Sequence, residues 1–268
     1  MLIDHDLHVH THLSACSHDP NATGKKILER AAQVGLKTIG FADHMWDRKR
    51  PGGSSWYMEQ DVDHISRIRE EVLGHGTGVR VLFGCETEYC GEGRVGISRE
   101  TAELLDFVLI PMSHFHMRGF VVPEGLEEPE EVSRMLLCRF KEVVELGLAT
   151  GIPHPFMPFG YSNVDEIVGN LSGQALQDCF GLAKEKGVSI EITKDFFPSL
   201  REGETEEFHD STFMRVLGVA KEMECFFHFA SDTHALEGVG DVKKLAPYVD
   251  ALGITSDEIL PLARGIAP

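Results

Sequence analysis

Asp6-Leu7-His8-Val9-His10 is the stretch that decides the fold. It ends a predicted strand near residues 2–9, and because side chains alternate along a strand, His8 and His10 point to the same face. The first strand of an open nucleotide-binding sheet typically runs into a Gly-x-Gly-x-x-Gly turn. Here the strand ends in two imidazoles that can grip one metal ion. The stretch therefore favours a barrel over an open, doubly wound sheet.

The rest of the chain alternates short apolar runs with longer amphipathic segments. The segment near 23–34 has Ile27, Leu28 and Ala31 at helical spacing, and Gly35 follows it as a natural C-cap. Seven such β–α units predict a parallel sheet covered by helices. No linker or repeat divides residues 1–268, so one domain is expected. The strands are predicted near 2–9, 37–42, 79–84, 106–111, 149–152, 188–193 and 225–230, and the helices near 23–34, 58–74, 99–104, 128–147, 172–186, 209–223, 240–251 and 256–264.

Composition and charge limit the classes of function. The 268 residues carry 25 basic against 43 acidic side chains, a formal charge of −18. That excess repels a phosphate backbone, which argues against long nucleic acids and acidic membranes as partners. No apolar run is long enough to span a membrane, and no secretory signal is present. We therefore expect a cytoplasmic protein whose six cysteines, none in a C-x-x-C pair, are reduced.

Polar clusters end nearly every predicted strand, although strands buried on both faces should be almost entirely apolar. In a barrel all these ends point into one pocket. A single histidine there is as readily a hydrogen-bonded core residue as a ligand, but six such ends are hard to attribute to chance. Imidazole and carboxylate ligands suit zinc, manganese or iron, and Cys16 and Cys85 are interpreted as packing. The clusters are His8-Val-His10, Asp43-His44, Glu86-Thr-Glu88, His114-Phe-His116, His154-Pro155 and Asp232-Thr-His234.

These six motifs, in this order, resemble those of the PHP (polymerase and histidinol phosphatase) superfamily over essentially the whole chain. The resemblance implies a distorted (β/α)7 barrel, a single PHP domain over residues 1–268, with a site for two or three divalent metal ions. Glu86 would bridge two ions. The His-x-His pair and Asp232 would complete the first ion's ligands, and His114 with His154 would complete the second's.

A third ion would be held by His44, His234 and a histidine of the loop after the first strand. That loop is slightly longer here than in the histidinol-phosphatase branch. His18 is favoured as the ligand, with Asp19 or His12 as alternatives.

Further residues are predicted around the ions. Glu86 and Asp232 are predicted to be catalytic through the ions they bind. His116 is predicted to be a proton donor to the leaving group or, alternatively, an ordinary loop histidine. Cations near the rim that could bind substrate phosphate are Lys194, Arg118 and Arg201.

Some polar residues have supporting or structural interpretations. Glu88 is predicted either to orient a ligand or the loop or to be a plain surface carboxylate. Asp43 is predicted either to hold a ligand histidine or to cap the second helix. His228 is interpreted as a core residue. Surface positions are predicted for His5, His64, His75 and His209.

The predicted function is hydrolysis of a small phosphomonoester, with metal-activated hydroxide attacking phosphorus. Histidinol phosphate is the leading named substrate, because Gly84-Cys-Glu86-Thr-Glu88-Tyr89 resembles the histidinol-phosphatase branch. The alternatives are a phosphodiesterase or nuclease acting on nucleotides or short oligonucleotides, an amidohydrolase, and a non-catalytic metal-binding barrel. The oligomeric state is not predicted.

Overall fold

A computed structural model describes residues 2–200 and 208–264. Its strands and helices alternate along the chain, as the sequence predicts. The strands are β1 (His5–Val9), β2 (Thr38–Phe41), β3 (Arg80–Glu86), β4 (Phe107–Leu109), β5 (Gly151–Ile152), β6 (Ser189–Thr193) and β7 (Phe227–Ala230). The helices are α1 (Gly24–Gln33), α2 (Val62–Ser66), α3 (Ile68–Val72), α4 (Arg99–Ala102), α5 (Pro129–Glu145), α6 (Val164–Gly169), α7 (Gly173–Lys186), α8 (Asp210–Glu222) and α9 (Ala246–Leu252).

The seven strands form one parallel sheet in chain order, from β1 to β7. The sheet curls until its two edges meet, where Val9 pairs with Thr233 as an isolated bridge. Six of the strands are buried throughout and β3 is buried in part, as expected where helices cover a parallel sheet. The predicted α/β barrel, distorted and TIM-like with seven strands, is confirmed.

Side chains replace most of the backbone ladder at the seam between β1 and β7. The Phe229 amide donates to His5 Nε2 and the Ser231 amide to Asp6 Oδ1, each at 3.0 Å. The prediction of His5 at the surface is therefore wrong: the ring is fully buried and stacks on Phe229 at 4.9 Å. Burial raises the pKa of Asp6 to about 6.

Local signals explain where α1 begins and ends. The Thr23 side chain accepts from the Lys26 amide at the N-cap, and Ile27, Leu28 and Ala31 are buried. Gly35 then turns the chain with φ +73°, a left-handed conformation that L side chains avoid.

Three helix predictions need correction. The segment 58–74 forms two short helices, α2 and α3, interrupted at Arg67, and α2 begins only after its cap, Asp61. Helix α6 was not predicted. The helix predicted near 256–264 is wrong: only a 3-10 turn at Ser256–Glu258 forms, and Ile259 then pairs with Phe227 beside β7.

Among the described residues, no helix combines the length and apolar character needed to cross a membrane.

Candidate metal centre

A cleft of about 2200 Å³ opens at the carboxyl ends of the strands. The segments 46–57 and 116–127 contribute to its walls through Trp56, Tyr57, Met117 and Phe120. The clustered histidines and carboxylates lie at its floor. This is the face on which barrel enzymes build their sites.

The first group of ligand atoms comes from β1 and the end of β7. His8 Nε2 lies 3.1 Å from His10 Nε2 and 3.4 Å from Asp232 Oδ1. His10 Nε2 lies 3.2 Å from the same carboxylate oxygen. Three donor atoms so close together, with His8 and His10 buried, are arranged to hold one ion.

The second group is formed by Glu86, at the end of β3, with two histidines that follow β4 and β5. Glu86 Oε1 lies 3.1 Å from His154 Nε2 and 3.6 Å from His114 Nε2. All three residues are buried, and their candidate donor atoms lie within 4.8 Å of one another.

Glu86 stands between the groups and offers one oxygen to each side. While Oε1 faces His114 and His154, Oε2 lies 3.3 Å from His8 Nε2 and 3.2 Å from His44 Nδ1. Burial alone would raise the pKa of the Glu86 carboxyl, but the imidazoles of His44, His8 and His114 outweigh burial and hold that pKa well below its usual value. The carboxylate is thus available as an anionic ligand.

A third group gathers around the loop after β1. Donor atoms of His10, Cys16, His44 and His234 all lie within 4.8 Å of one another. Cys16, interpreted from sequence as packing, lines the cleft instead. Burial, with the Glu86 and Asp232 carboxylates nearby, raises the pKa of its thiol to about 12.

The three residues predicted for the third site are placed differently. His18 lines the cleft but is exposed and lies outside that group. His12 Nε2 lies 3.0 Å from Glu71 Oε1. Asp19 accepts hydrogen bonds from the amides of Asn21 and Leu236, so it holds the loop.

Buried acidic residues orient the histidines from behind, an arrangement typical of metal sites. Glu88 Oε1 lies 2.5 Å from His114 Nδ1 and also accepts from the Tyr57 hydroxyl at 2.9 Å. Burial would lower the pKa of His114, but Glu88 and Glu86 outweigh it and raise that pKa to about 9. Glu88 therefore lies behind a candidate ligand, one of the roles predicted for it, and is not a surface carboxylate.

Glu191, in the middle of β6, has no counterpart in the sequence predictions. Its Oε2 lies 2.9 Å from His8 Nδ1 and 3.4 Å from His228 Nε2, and its Oε1 accepts from the His154 amide at 3.0 Å. Burial would raise its pKa, but His8 and His228 hold it at about 2. The sequence did carry a sign of this role, because an ionisable residue within a buried strand needs a polar partner.

Two serines complete the orientation of the ring nitrogens. The Ser14 hydroxyl lies 3.1 Å from His10 Nδ1 and accepts from the His44 amide. The Ser113 hydroxyl lies 2.9 Å from His154 Nδ1. Both predicted roles of Asp43 are wrong, because its carboxylate accepts from the amide and hydroxyl of Thr11 and so holds the loop after β1.

Two of the candidate ligands have unusual backbone conformations. His154 has φ +32° and Asp232 has φ +48°, both in the left-handed region that non-glycine residues rarely adopt. Such strain persists where the surroundings fix the conformation, and it clusters at functional sites.

The predicted substrate-binding residues lie at the rim. Lys194 and Arg118 line the cleft; Lys194 Nζ lies 3.8 Å from Asp241, and Arg118 lies 3.3 Å from Glu127. His116 also lines the cleft, 5.3 Å from the His114 ring, and burial together with His114 lowers its pKa to about 4. Arg201 lies outside the described residues.

The residues present fit divalent metal ions. His44 Nδ1 and Asp232 Oδ1 are buried and make no hydrogen bond within the described part of the chain. Burial would raise the pKa of Asp232, but His8 and His10 keep it well below its usual value, so the group is a carboxylate. Buried carboxylates facing imidazole nitrogens normally either pair or coordinate metal.

Comparison with known proteins agrees with this fold. Two probable phosphatases are each 22% identical to this chain. The match to the protein of Aliivibrio fischeri (strain MJ11) covers 97% of this chain and 89% of that protein. The match to the protein of Vibrio parahaemolyticus covers 95% of this chain and 87% of that protein. A histidinol phosphate phosphatase of Lactococcus lactis, crystallised with zinc, L-histidinol and phosphate, superimposes with a TM-score of 0.62 at 17% identity, covering 94% of both chains.

The family itself follows from a match to the PHP domain over residues 6–194. Because that match spans well over half of the chain, the chain belongs to the PHP domain family, and the prediction of a metal-dependent phosphoesterase is confirmed at that level.

Proposed function

We propose that this protein hydrolyses a small phosphomonoester at a site of two or three divalent ions, zinc, manganese or iron. We also propose that residues 1–268 form a single PHP domain and that the enzyme works in the cytoplasm. The observation that carries the proposal is the position of Glu86. Its two oxygens face two separate sets of ligand histidines, as a carboxylate that bridges two ions must.

The bound ions would activate a water molecule as nucleophile and neutralise charge on the phosphoryl oxygens. The chain's own part is to fix the ligands. Glu191 and Glu88 hold the far nitrogens of His8 and His114, so each ring keeps its near nitrogen toward the cleft. His116 also lines the cleft, but with its pKa lowered to about 4 the ring is neutral near pH 7 and could accept a proton there rather than donate one to the leaving oxygen.

The aromatic residues in the walls of the cleft favour a substrate whose organic leaving group contains a ring. Trp56 lies edge-on to His44 with ring centroids 5.2 Å apart, and Phe159 lies 4.9 Å from His154. Phe120 also lines the cleft. Aromatic side chains bind flat, partly apolar groups. Histidinol phosphate, with its imidazole, is therefore the first substrate to test.

A phosphodiester substrate is the second candidate. Lys194, Lys244, Arg30 and Arg118 all line the cleft and could follow a short oligonucleotide. However, Lys194 and Lys244 both lie beside Asp241, at 3.8 and 3.0 Å, which reduces their charge toward a ligand. The formal charge of −18 also favours a small substrate.

The experiment is metal analysis combined with two chromogenic substrates. Protein purified without chelator is analysed for bound metals and assayed with p-nitrophenyl phosphate and its bis-ester, and then with histidinol phosphate. We expect at least two transition-metal ions per chain and preferential cleavage of the monoester. Cleavage of the diester alone would favour the nuclease alternative. If no metal binds even after reconstitution, the proposal fails.

A further inference from the structure

Cys16 occupies a position where a metal ligand is expected. It lies in the loop between β1 and α1, and its sulfur is within 4.8 Å of ligand nitrogens from His10, His44 and His234. Ligand atoms around a tetrahedral zinc ion lie about 3.3–3.8 Å apart, given bonds of about 2.0–2.3 Å. Because none of these distances exceeds 4.8 Å, shifts of about 1 Å or less bring the four residues to the spacing that one ion imposes.

His10 is already committed to another group. Its Nε2 lies 3.1 Å from His8 Nε2 and 3.2 Å from Asp232 Oδ1, while its Nδ1 lies 3.1 Å from the Ser14 hydroxyl. The residues left for a separate ion are Cys16, His44 and His234. Three protein ligands with one open position is the pattern of a catalytic rather than a structural metal site.

A second observation points to a ligand at this place. His44 is only 8% exposed, yet its Nδ1 makes no hydrogen bond within residues 2–200 and 208–264. The nearest acidic atom, Glu86 Oε2 at 3.2 Å, belongs to the bridging carboxylate. A buried imidazole nitrogen without a hydrogen bond is available to a metal ion.

The loop is held so that the thiol stays near both histidines. The Ser17 hydroxyl donates to the backbone carbonyl of His234 at 2.8 Å, and the His44 amide donates to the Ser14 hydroxyl at 3.0 Å. The Ala15 amide donates to Gln60 Oε1 at 2.8 Å. The residues on both sides of Cys16 are thus tied to the elements that carry His44 and His234.

We infer that Cys16, whose thiol loses its proton as the metal binds, joins His44 and His234 in holding a third metal ion, in the place that the sequence assigned to a loop histidine. This inference rests on the proposed function, because it adds one ion to the same site. A thiolate prefers zinc, iron(II) or cobalt(II) to manganese or magnesium. The third position is therefore selective for softer ions, while the His and carboxylate positions accept manganese as well.

Cobalt(II) substitution tests the inference through a signal independent of activity. The full-length protein is stripped of metal and reloaded with cobalt, and a thiolate ligand then gives a sulfur-to-cobalt charge-transfer band in the near ultraviolet. We expect the band in the wild type and in Cys138→Ser, which removes an exposed cysteine on α5. Cys16→Ser should lack the band and bind one cobalt fewer, and Cys16→His should lack the band but keep the full number.

The variants separate this inference from the proposed function. If wild-type protein binds metal and cleaves the monoester without the band, or if Cys16→Ser keeps the band, Cys16 is not a ligand although the enzyme assignment stands. If His18→Ala rather than Cys16→Ser loses one cobalt, the loop histidine is the ligand and the inference is overturned. If no cobalt binds at all, both proposals fail.

Discussion

Replacing Glu86 with glutamine tests the centre of the mechanism. The change keeps the shape of the side chain but removes its negative charge and one acceptor oxygen. Its oxygens lie 3.1–3.6 Å from five imidazole nitrogens contributed by three groups of ligands. No other carboxylate in the described chain faces all of them. The substitution should therefore disturb two ions together.

The size of the effect follows from the electrostatics of phosphoryl transfer. Losing one preorganised group that stabilises transition-state charge costs about 3–4 kcal/mol. Since about 1.4 kcal/mol corresponds to a tenfold change in rate, kcat/KM should fall by about 100- to 1000-fold. The weaker binding of two ions adds to that loss, so about 100-fold is the lower bound when metal is not in excess.

The assay measures metal per chain and monoester hydrolysis on the same samples. Glu130→Gln is the matched control, because Glu130 is an exposed carboxylate at the start of α5. We expect Glu86→Gln to lose at least one ion beyond the control and nearly all activity. Full metal content together with full hydrolysis would refute the bridging role of Glu86. Circular dichroism checks that the variant folds.

Three further perturbations test the surroundings of the site. Glu191→Gln should weaken metal affinity by about 10- to 100-fold, because the far nitrogen of His8 loses its anionic partner; unchanged affinity in a chelator competition would exclude that role. Asp47 accepts from the hydroxyls of Ser98 and Thr101 at 2.6 Å, and although burial raises its pKa, these bonds lower it below 3.8. The carboxylate therefore stabilises the fold above pH 3.8 and loses that effect as the pH falls lower. Asp47→Asn should lower the free energy of unfolding in urea by about 1–3 kcal/mol at pH 7 and by less at pH 3. An equal loss at both pH values would contradict this. Lys194→Ala should raise KM about 3- to 10-fold at constant kcat, which corresponds to a loss of about 1 kcal/mol of ground-state binding. The control Lys186→Ala, at a residue remote from the cleft, should leave KM unchanged. A change in kcat alone would show that Lys194 does not act in binding.

The sequence predicted the fold, and most of the polar side chains that the structure brings together, for one physical reason. Polar residues at the ends of otherwise apolar parallel strands are costly unless they bind something. Alternation then places His8 and His10 on one face, and barrel topology brings Glu86 and Asp232 to the same pocket. These inferences require only the positions at which the strands end, and those positions can be read from the ends of the apolar runs.

The loops could not be predicted in the same way, because their conformations follow no periodicity. The choice among His12, His18 and Asp19 depended on spacing alone, and the structure instead brings Cys16 to the third group. Asp43 shows the same limit. Its carboxylate accepts hydrogen bonds from the amide and hydroxyl of Thr11 in a loop, and a sequence pattern does not encode such contacts.

Unpredicted contacts also link the closure of the barrel to the candidate ligands. The β1–β7 seam is bridged by His5 and Asp6, and Glu191 occupies the interior of β6. Because Glu191 reaches both His8 on β1 and the His154 amide after β5, it ties the seam to the ligands. Strand closure and ligand orientation therefore depend on the same buried polar network. An apolar substitution at Glu191 cannot be neutral, because it would leave the His8 and His154 partners buried without their acceptor.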